Sequence, residues 1–244
     1  MNKPTRIKRL YFDIETSPNI GYFWQAGYKL NIPTDNIIKE RAIITICYKW
    51  EGQKDVYSLT WDKTQNDKGM LEKFVKVANE ADELVGHNGD RFDLPWVRTR
   101  CLYHRIPMMP DYKSIDTLKV SRSKFRFNSN RLNYIAKYLN IGQKIHTSFD
   151  LWTKIVFNKD KQAMDKMVRY CKQDVRLLER VYKELEYYFN PKTHVGVLNN
   201  KPKSSCPRCG NDEYAIHQTI VSATGVKKYN VKCKGCHSYH TVKA

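Results

Sequence analysis

Four cysteines near the end of the chain constrain the fold most. They stand as Cys206-Pro-Arg-Cys209 and Cys233-Lys-Gly-Cys236, with 23 residues between the two pairs. Two thiolates separated by two residues form a knuckle that aims both sulfurs at one centre. Two knuckles make a set of four, which suits a tetrahedral structural Zn²⁺. So few residues cannot bury much core, so the metal would supply the stability. Gly210 and Gly235 ease the knuckle turns, and EYAIHQTIV and KKYNVKC read as short strands between them. Two alternatives share the pattern: a pair of disulfides, and a c-type haem site at the string C-K-G-C-H. The other cysteines, Cys47, Cys101 and Cys171, are scattered. Unpaired thiols of that kind point to a reducing compartment and so to zinc. His237 and His240 read as surface residues beside a complete four-thiol set.

The cysteine module implies a boundary. Residues 189–205, FNPKTHVGVLNNKPKSS, hold two prolines, a glycine and several Asn and Lys. They read as a loosely packed connection. The expected division is a domain over 1–190, a linker over 191–205 and a ribbon over 206–244. Of the 244 residues 41% are apolar, so the first 190 can bury a core of their own.

Periodicity gives that domain its class. RLYFDIE (9–15) reads as a strand, and 41–50 with 53–60 as a hairpin around Glu51-Gly52. Met70, Leu71, Phe74, Val75 and Ala78 mark a helix over 67–81. A strand at 83–86, a helix over 92–105, an extended piece at 112–118 and a helix over 128–140 follow. One long amphipathic helix, or two in succession, fills 159–189. Strands alternating with helices predict an α/β fold with a mixed central sheet flanked by helices.

Charge narrows the partner. The net charge is +18, of which +7 falls on residues 191–244. A surface this basic concentrates polyanions. Nucleic acid is the leading candidate, with acidic lipid or protein as alternatives. No stretch reaches the 18–20 apolar residues of a membrane span. The start, MNKPTRIKRL, has no apolar core of a secretory signal, so a cytoplasmic protein is expected.

Three short motifs carry chemistry. Asp13 and Glu15 are two apart on a strand and share a face, with Ile14 turned the other way. Adjacent carboxylates repel unless they meet water or share a cation. The segment GHNGDRFDLPW (86–96) follows a strand and opens a helix, where α/β sheets place ligand groups. Asn88 suits the turn, Phe92 can anchor in the core, and Asp93 can face the strand end. Asp90 is a rival carboxylate, and Asp93 could equally be a plain helix-start residue. Tyr170 and Asp174, four apart on a helix, share one face. Together Asp13, Glu15, Asp93 and Asp174 form a hard-oxygen set that suits Mg²⁺ or Mn²⁺. Two such ions serve in-line phosphoryl displacement.

The ordered set is similar to the motifs of the DEDD superfamily of 3′–5′ exonucleases, tyrosine subclass. Asp13 and Glu15 match its Asp-x-Glu, Asn88 with Phe92 and Asp93 its second motif, and Tyr170 with Asp174 its Tyr-x-x-x-Asp. YFDIETSPN, RAIITICYKW and DTLKVSRSKFRFNSNRL also resemble stand-alone phage and bacterial exonucleases related to the exonuclease domain of family B polymerases. The resemblance spans about residues 8–190 and implies a ribonuclease H-like fold. It further implies two catalytic ions, Asp13 bridging both and Glu15 with Asp174 holding the one that activates water. Asp93 would act through water near the second ion, and Tyr170 would orient the attacking water. The implied product is a nucleoside 5′-monophosphate, in a bacterial or phage-infected host cytoplasm. The cysteine module looks like a zinc ribbon.

Further residues read as substrate contacts. KVSRSKFRFNSNR (119–131) has five cations and no acid. Lys119, Arg122, Lys124, Arg126 and Arg131 would meet phosphates, and Phe125 would stack on a base. The alternative is a solvated loop whose phenylalanines pack on the next helix. Asn88 and Phe92 join this set from the second motif. In the 16–40 insertion, Phe23, Trp24 and Tyr28 either cover core or meet DNA, with packing expected for most of them. Arg208, Lys232 and Lys234 near the knuckles point to nucleic-acid contact. The expected function is a metal-dependent 3′–5′ exonuclease on single-stranded DNA ends. An exoribonuclease, a structure-selective nuclease and an inactive nucleic-acid-binding module are the rivals.

Overall fold

The computed structural model describes residues 7–27, 30–145 and 147–244. Tyr28 lies outside them. The chain divides into two compact units, Arg9–Tyr182 and one built on Lys183–Ala244.

In chain order the elements are β1 (Arg9–Thr16), β2 (Ile20–Gly21), β3 (Ile37–Lys39), β4 (Ile43–Trp50), β5 (Tyr57–Thr60), α1 (Lys68–Asn79), β6 (Glu83–Gly86) and α2 (Asp93–Tyr103). They continue as β7 (Ser114–Asp116), α3 (Thr117–Lys124), α4 (Leu132–Tyr138), α5 (Asp150–Val156), α6 (Lys161–Leu185), α7 (Val195–Leu198), β8 (Tyr214–Val221), β9 (Lys227–Cys233) and β10 (Tyr239–Lys243).

The first unit is built on a five-stranded sheet in the order β5-β4-β1-β6-β7. β4 runs antiparallel to β1 and β5, while β6 runs parallel to β1 and β7, so the sheet is mixed as expected. β1 lies at its centre, where strand alternation decides the site. Leu10, Phe12 and Ile14 point into a core with Met70, Leu71 and Phe74 of α1 and Leu94 and Val97 of α2. Asp13 and Glu15 therefore face the opposite side. There a second core gathers Ile44 and Trp61 against Leu151 and Ile155 of α5 and Ala163 and Met167 of α6.

Three expectations for this unit change. The basic segment 119–131 begins as helix α3, because the buried carboxylate of Asp116 caps it by accepting from Leu118 N–H at 2.9 Å. Phe125 and Phe127 stack on each other at 5.3 Å, and Phe127 meets Tyr138 of α4 at 5.4 Å. Packing on the next helix thus describes them better than a base platform does. In the insertion, Phe23 is 58% exposed and Trp24 fully exposed, so these two do not pack.

The second unit carries a three-stranded sheet, β10-β9-β8. The segment 191–205 is folded against the cysteine module rather than loose. Val195 N–H donates to Pro207 O at 2.8 Å, and Ser205 Oγ occupies the space that a side chain on Gly196 would need. The four cysteines are free thiols with ligand atoms within 4.8 Å of one another. Their Sγ separations of 3.6 Å (Cys206–Cys236) and 3.5 Å (Cys209–Cys233) exceed the roughly 2 Å of a disulfide.

Candidate active site

β1 and α6 together build the site. The ladder to β4 fixes the backbone of Asp13 opposite Cys47 and that of Glu15 opposite Thr45. On α6, Met167, Cys171, Val175 and Leu178 are buried, so the helix is pinned with Asp174 turned inward and only 1% exposed. The Cys171 thiol donates to Asp13 O at 3.5 Å and ties the helix to the strand. The carboxylates of Asp13, Glu15 and Asp174 converge with oxygens within 4.8 Å of one another.

Asp93 sits beside this trio rather than in it. β6 pairs with β1 only as far as Tyr11, which leaves the Ile14 N–H beyond its reach. The Asp93 carboxylate, at the start of α2, accepts that N–H at 3.1 Å. It is buried and feels Asp116 as a further negative neighbour.

The turn before Asp93 is tightly specified. A side chain on Gly86 would come 3.1 Å from the Gly89 Cα. Asn88 takes a left-handed φ of 69°, which Asn tolerates. Asp116 Oδ1 accepts Asn88 N–H at 2.8 Å, so one buried carboxylate orders the turn and caps α3. The sequence reading passed over Asp116; its only signal was an Asp before a helix start. The rival Asp90 lies outside the trio and pairs with Lys119 at 2.7 Å.

Burial raises the proton affinity of all four acids, and repulsion within the group adds to it at Asp13 and Glu15. Burial first, then Asp93, Glu15 and Asp174, push the Asp13 carboxyl well above the usual range. Burial and then Asp174 push Glu15 up to about 8. Burial lifts Asp93 to about 7 against the Ile14 N–H. Asp174 also rises through burial, although Lys144 and the Tyr170 hydroxyl oppose this. Tyr170 is itself raised, by burial and then Asp174.

Lys144 is the residue that sequence reasoning missed. Asn133 Oδ1 accepts its backbone N–H at 2.8 Å. Its Nζ donates to Asp174 Oδ2 at 2.5 Å and to the Tyr170 hydroxyl at 3.5 Å. Burial works against its charge, but Asp174 and Asp13 outweigh it and hold the lysine protonated. A lone Lys in QKIHT carries no motif that would have flagged it.

One buried carboxylate oxygen, Asp174 Oδ1, has no hydrogen-bond partner among the described residues. An orphan acceptor within a converging carboxylate trio is what a cation would satisfy. The donor set is all oxygen, so it fits a hard divalent ion.

The remaining predicted contacts separate. Asn88, Arg122, Arg131 and Lys144 line a cavity of about 630 Å³ with His87 and Asn130. Lys124 and Arg126 are exposed nearby in sequence, whereas Lys119 is committed to Asp90 and Phe125 to Phe127. Phe92 packs on the α1–α2 core instead of lining a groove. In the second unit, Arg208 is tied to Glu186 at 3.4 Å and donates to the carbonyls of Glu186 and Phe189. It braces the chain after α6 and is not offered to a ligand. Lys234 is exposed and lies 3.6 Å from Glu213.

Known proteins share this architecture. A DNA polymerase from Thermococcus hydrothermalis is 30% identical over 111 residues, which cover 41% of this chain and 6% of that protein. The family B DNA polymerase of the archaeon Pyrobaculum calidifontis superimposes with a TM-score of 0.57 at 16% identity. That match covers 77% of this chain and 25% of the polymerase, and it shows the fold alone. The chain therefore spans only a small part of the polymerases it resembles. A family model of the RNase H superfamily matches residues 10–186, from the central strand that carries Asp13 to the end of the helix that carries Asp174, and the chain belongs to that superfamily.

Proposed function

We propose that the chain is a 3′–5′ exonuclease that hydrolyses DNA from single-stranded 3′ ends and releases nucleoside 5′-monophosphates. The observation that carries the reading is the buried convergence of Asp13, Glu15 and Asp174, with one Asp174 oxygen left unpartnered. Two Mg²⁺ or Mn²⁺ ions at these carboxylates would supply charge stabilisation for the attacking and leaving oxygens of the displaced phosphodiester.

The chain's own groups do the rest. Asp13 and Glu15 stand on a rigid central strand, so their spacing costs no reorganisation on reaction. Asp93 braces β1 through the Ile14 N–H and adds negative charge to the site. Tyr170 keeps its proton at neutral pH, so it orients a water by hydrogen bonding rather than abstracting a proton. Lys144 holds Asp174 in place from the side. The cavity lined by Asn88, Arg122 and Arg131 offers amide and cationic groups to a strand end. In the second unit the four thiols fit one structural Zn²⁺. A tetrahedral sulfur site needs neighbouring sulfurs roughly 3.8 Å apart, near the 3.5–3.6 Å found. Hydrogen bonds from Ser238 and the Cys209 and Arg208 backbone bring the Cys206 thiol down to about 7 against burial, whereas burial pushes the Cys209 and Cys236 thiols up, so a metal would have to displace their protons.

The test uses single-stranded DNA and RNA labelled at either end, with Mg²⁺ or Mn²⁺. Stepwise release of labelled mononucleotide from the 3′ end of DNA is expected. Release from the 5′ end, or preference for RNA, would replace this assignment with another nuclease. No hydrolysis under any condition would leave a binding module.

A further inference from the structure

We infer that the outward face of the β8–β9–β10 sheet is a binding platform for single-stranded nucleic acid. Lys228, Lys232 and Lys243 would meet phosphates, and Tyr239 and His217 would stack on bases. The inference rests on the proposed nucleic-acid substrate but not on its cleavage.

Register assigns the face. Residues paired across neighbouring strands share a side of a sheet. Tyr239 pairs with Lys232, Thr241 with Asn230 and Lys243 with Lys228. Their neighbours on β9 and β10 point the other way, and of these Val231, Val242 and Cys233 are buried. The row Lys228, Asn230, Lys232 is thus the solvent side, and its lysines are exposed. On β8 a bulge between Ile216 and Gln218 leaves His217 as the extra residue. Bulges re-aim side chains, and this one brings the His217 ring to 5.1 Å from the Tyr239 ring. Tyr239 is 51% exposed, and Lys232 Nζ lies 5.9 Å from its ring centroid.

The charge pattern needs an anion. Lys228 and Lys243 are directly opposite, an arrangement that destabilises a sheet when nothing offsets it. Residues 214–244 contain no Asp or Glu to do so. Elsewhere in this unit Lys201 pairs with Asp212 and Lys234 lies beside Glu213. A face that served solubility alone would mix signs in the same way. Lysines interleaved with exposed rings are the composition of a strand-binding surface, where phosphates meet cations and bases meet π-faces. An acidic peptide would use the lysines but leave the two rings without a task.

Fluorescently labelled dT and rU 12-mers, a 12-bp duplex and a polyglutamate peptide would be titrated against the full chain without added divalent ions. The variant K228Q/K232Q/K243Q should bind both single strands about tenfold or more weakly, with a salt slope lower by about 2. Tyr239→Leu should weaken binding severalfold with the slope unchanged. K228R/K232R/K243R should bind like the parent; loss in both triple variants would overturn the charge role. Unchanged affinity and slope in the Gln variant would overturn the inference. So would tighter binding of polyglutamate, or duplex binding as tight as single strand and indifferent to Tyr239→Leu. Cleavage of a dinucleotide by the parent and by each variant is measured alongside, as a separate readout of hydrolysis. If no form cleaves it, the exonuclease reading fails while the binding data still decide this one.

Discussion

Among the described residues, two clusters of side chains could hold a metal ion, and they are built in opposite ways. Asp13, Glu15 and Asp174 stand on the central strand and the longest helix of a large core. That packing forces like charges together, and burial raises every carboxyl in the group. Cys206, Cys209, Cys233 and Cys236 stand beside a small sheet whose buried apolar contribution includes little beyond Val231 and Val242. In the first cluster the fold makes the site. In the second, on the reading proposed here, the metal makes the fold.

The largest effect should come from removing thiols. C206S/C209S should abolish binding of about one zinc per chain, an interaction worth on the order of 10 kcal/mol. Hydrogen exchange should show residues 206–244 losing protection while Arg9–Tyr182 keeps its own. Global unfolding of both units would erase the distinction between the clusters.

The next effect belongs to the carboxylates and has the opposite character. Asp13→Asn or Asp174→Asn should lower turnover by about a thousandfold or more, about 4 kcal/mol in the barrier. Metal-free Asp13→Asn should not lose thermal stability, because a buried carboxyl under repulsion is removed; Asp174→Asn is left out of this arm because it also breaks the ion pair with Lys144. A marked fall in melting temperature without metal would mean the carboxylates are structural after all.

These contrasts were partly legible before any coordinates. Strand alternation put Asp13 and Glu15 on one face, and helical spacing put Tyr170 and Asp174 on one face, because both rules are local. Non-local features were not readable. Lys144 lies thirty residues from Asp174 in a segment without periodicity. Helix α3 hides Thr117 and Ser121 rather than apolar residues, so it left no hydrophobic pattern. Helices α5 and α7 are too short to show one. The exposure of Trp24 defeats the rule that tryptophan packs, and β10, beyond the last cysteine, is not among the strands that the sequence pattern marks.

A pH titration of stability sharpens the comparison further. Glu15 and Asp93 titrate near 8 and 7 in the folded chain but near their ordinary values when unfolded. Between those limits the folded state binds more protons, so stability of the metal-free first unit falls as pH rises. His87 works the other way: burial lowers it to about 4, so its contribution is lost as pH falls from 6.5 towards 4. The clean window is therefore pH 6.5–8, where a decline of a few kcal/mol is expected from the two carboxyls. Mn²⁺ should flatten it. Stability that is level across this window without metal would remove the claim that the core holds the carboxylates against their repulsion.

The smallest effect should come from Tyr170→Phe. The substitution leaves the carboxylate trio standing, and Lys144 still holds Asp174 Oδ2. Metal affinity should stay close to that of the parent, and KM should barely move. What is lost is one hydroxyl that donates to Asp174 and, on the proposed mechanism, positions water. Turnover should fall about tenfold, roughly 1.4 kcal/mol. The pH profile separates orientation from base catalysis. Because the parent hydroxyl stays protonated well past neutrality, its removal should leave the alkaline limb where it was. An alkaline limb that disappears in Y170F, with the acid limb fixed, would make the tyrosine the proton acceptor instead.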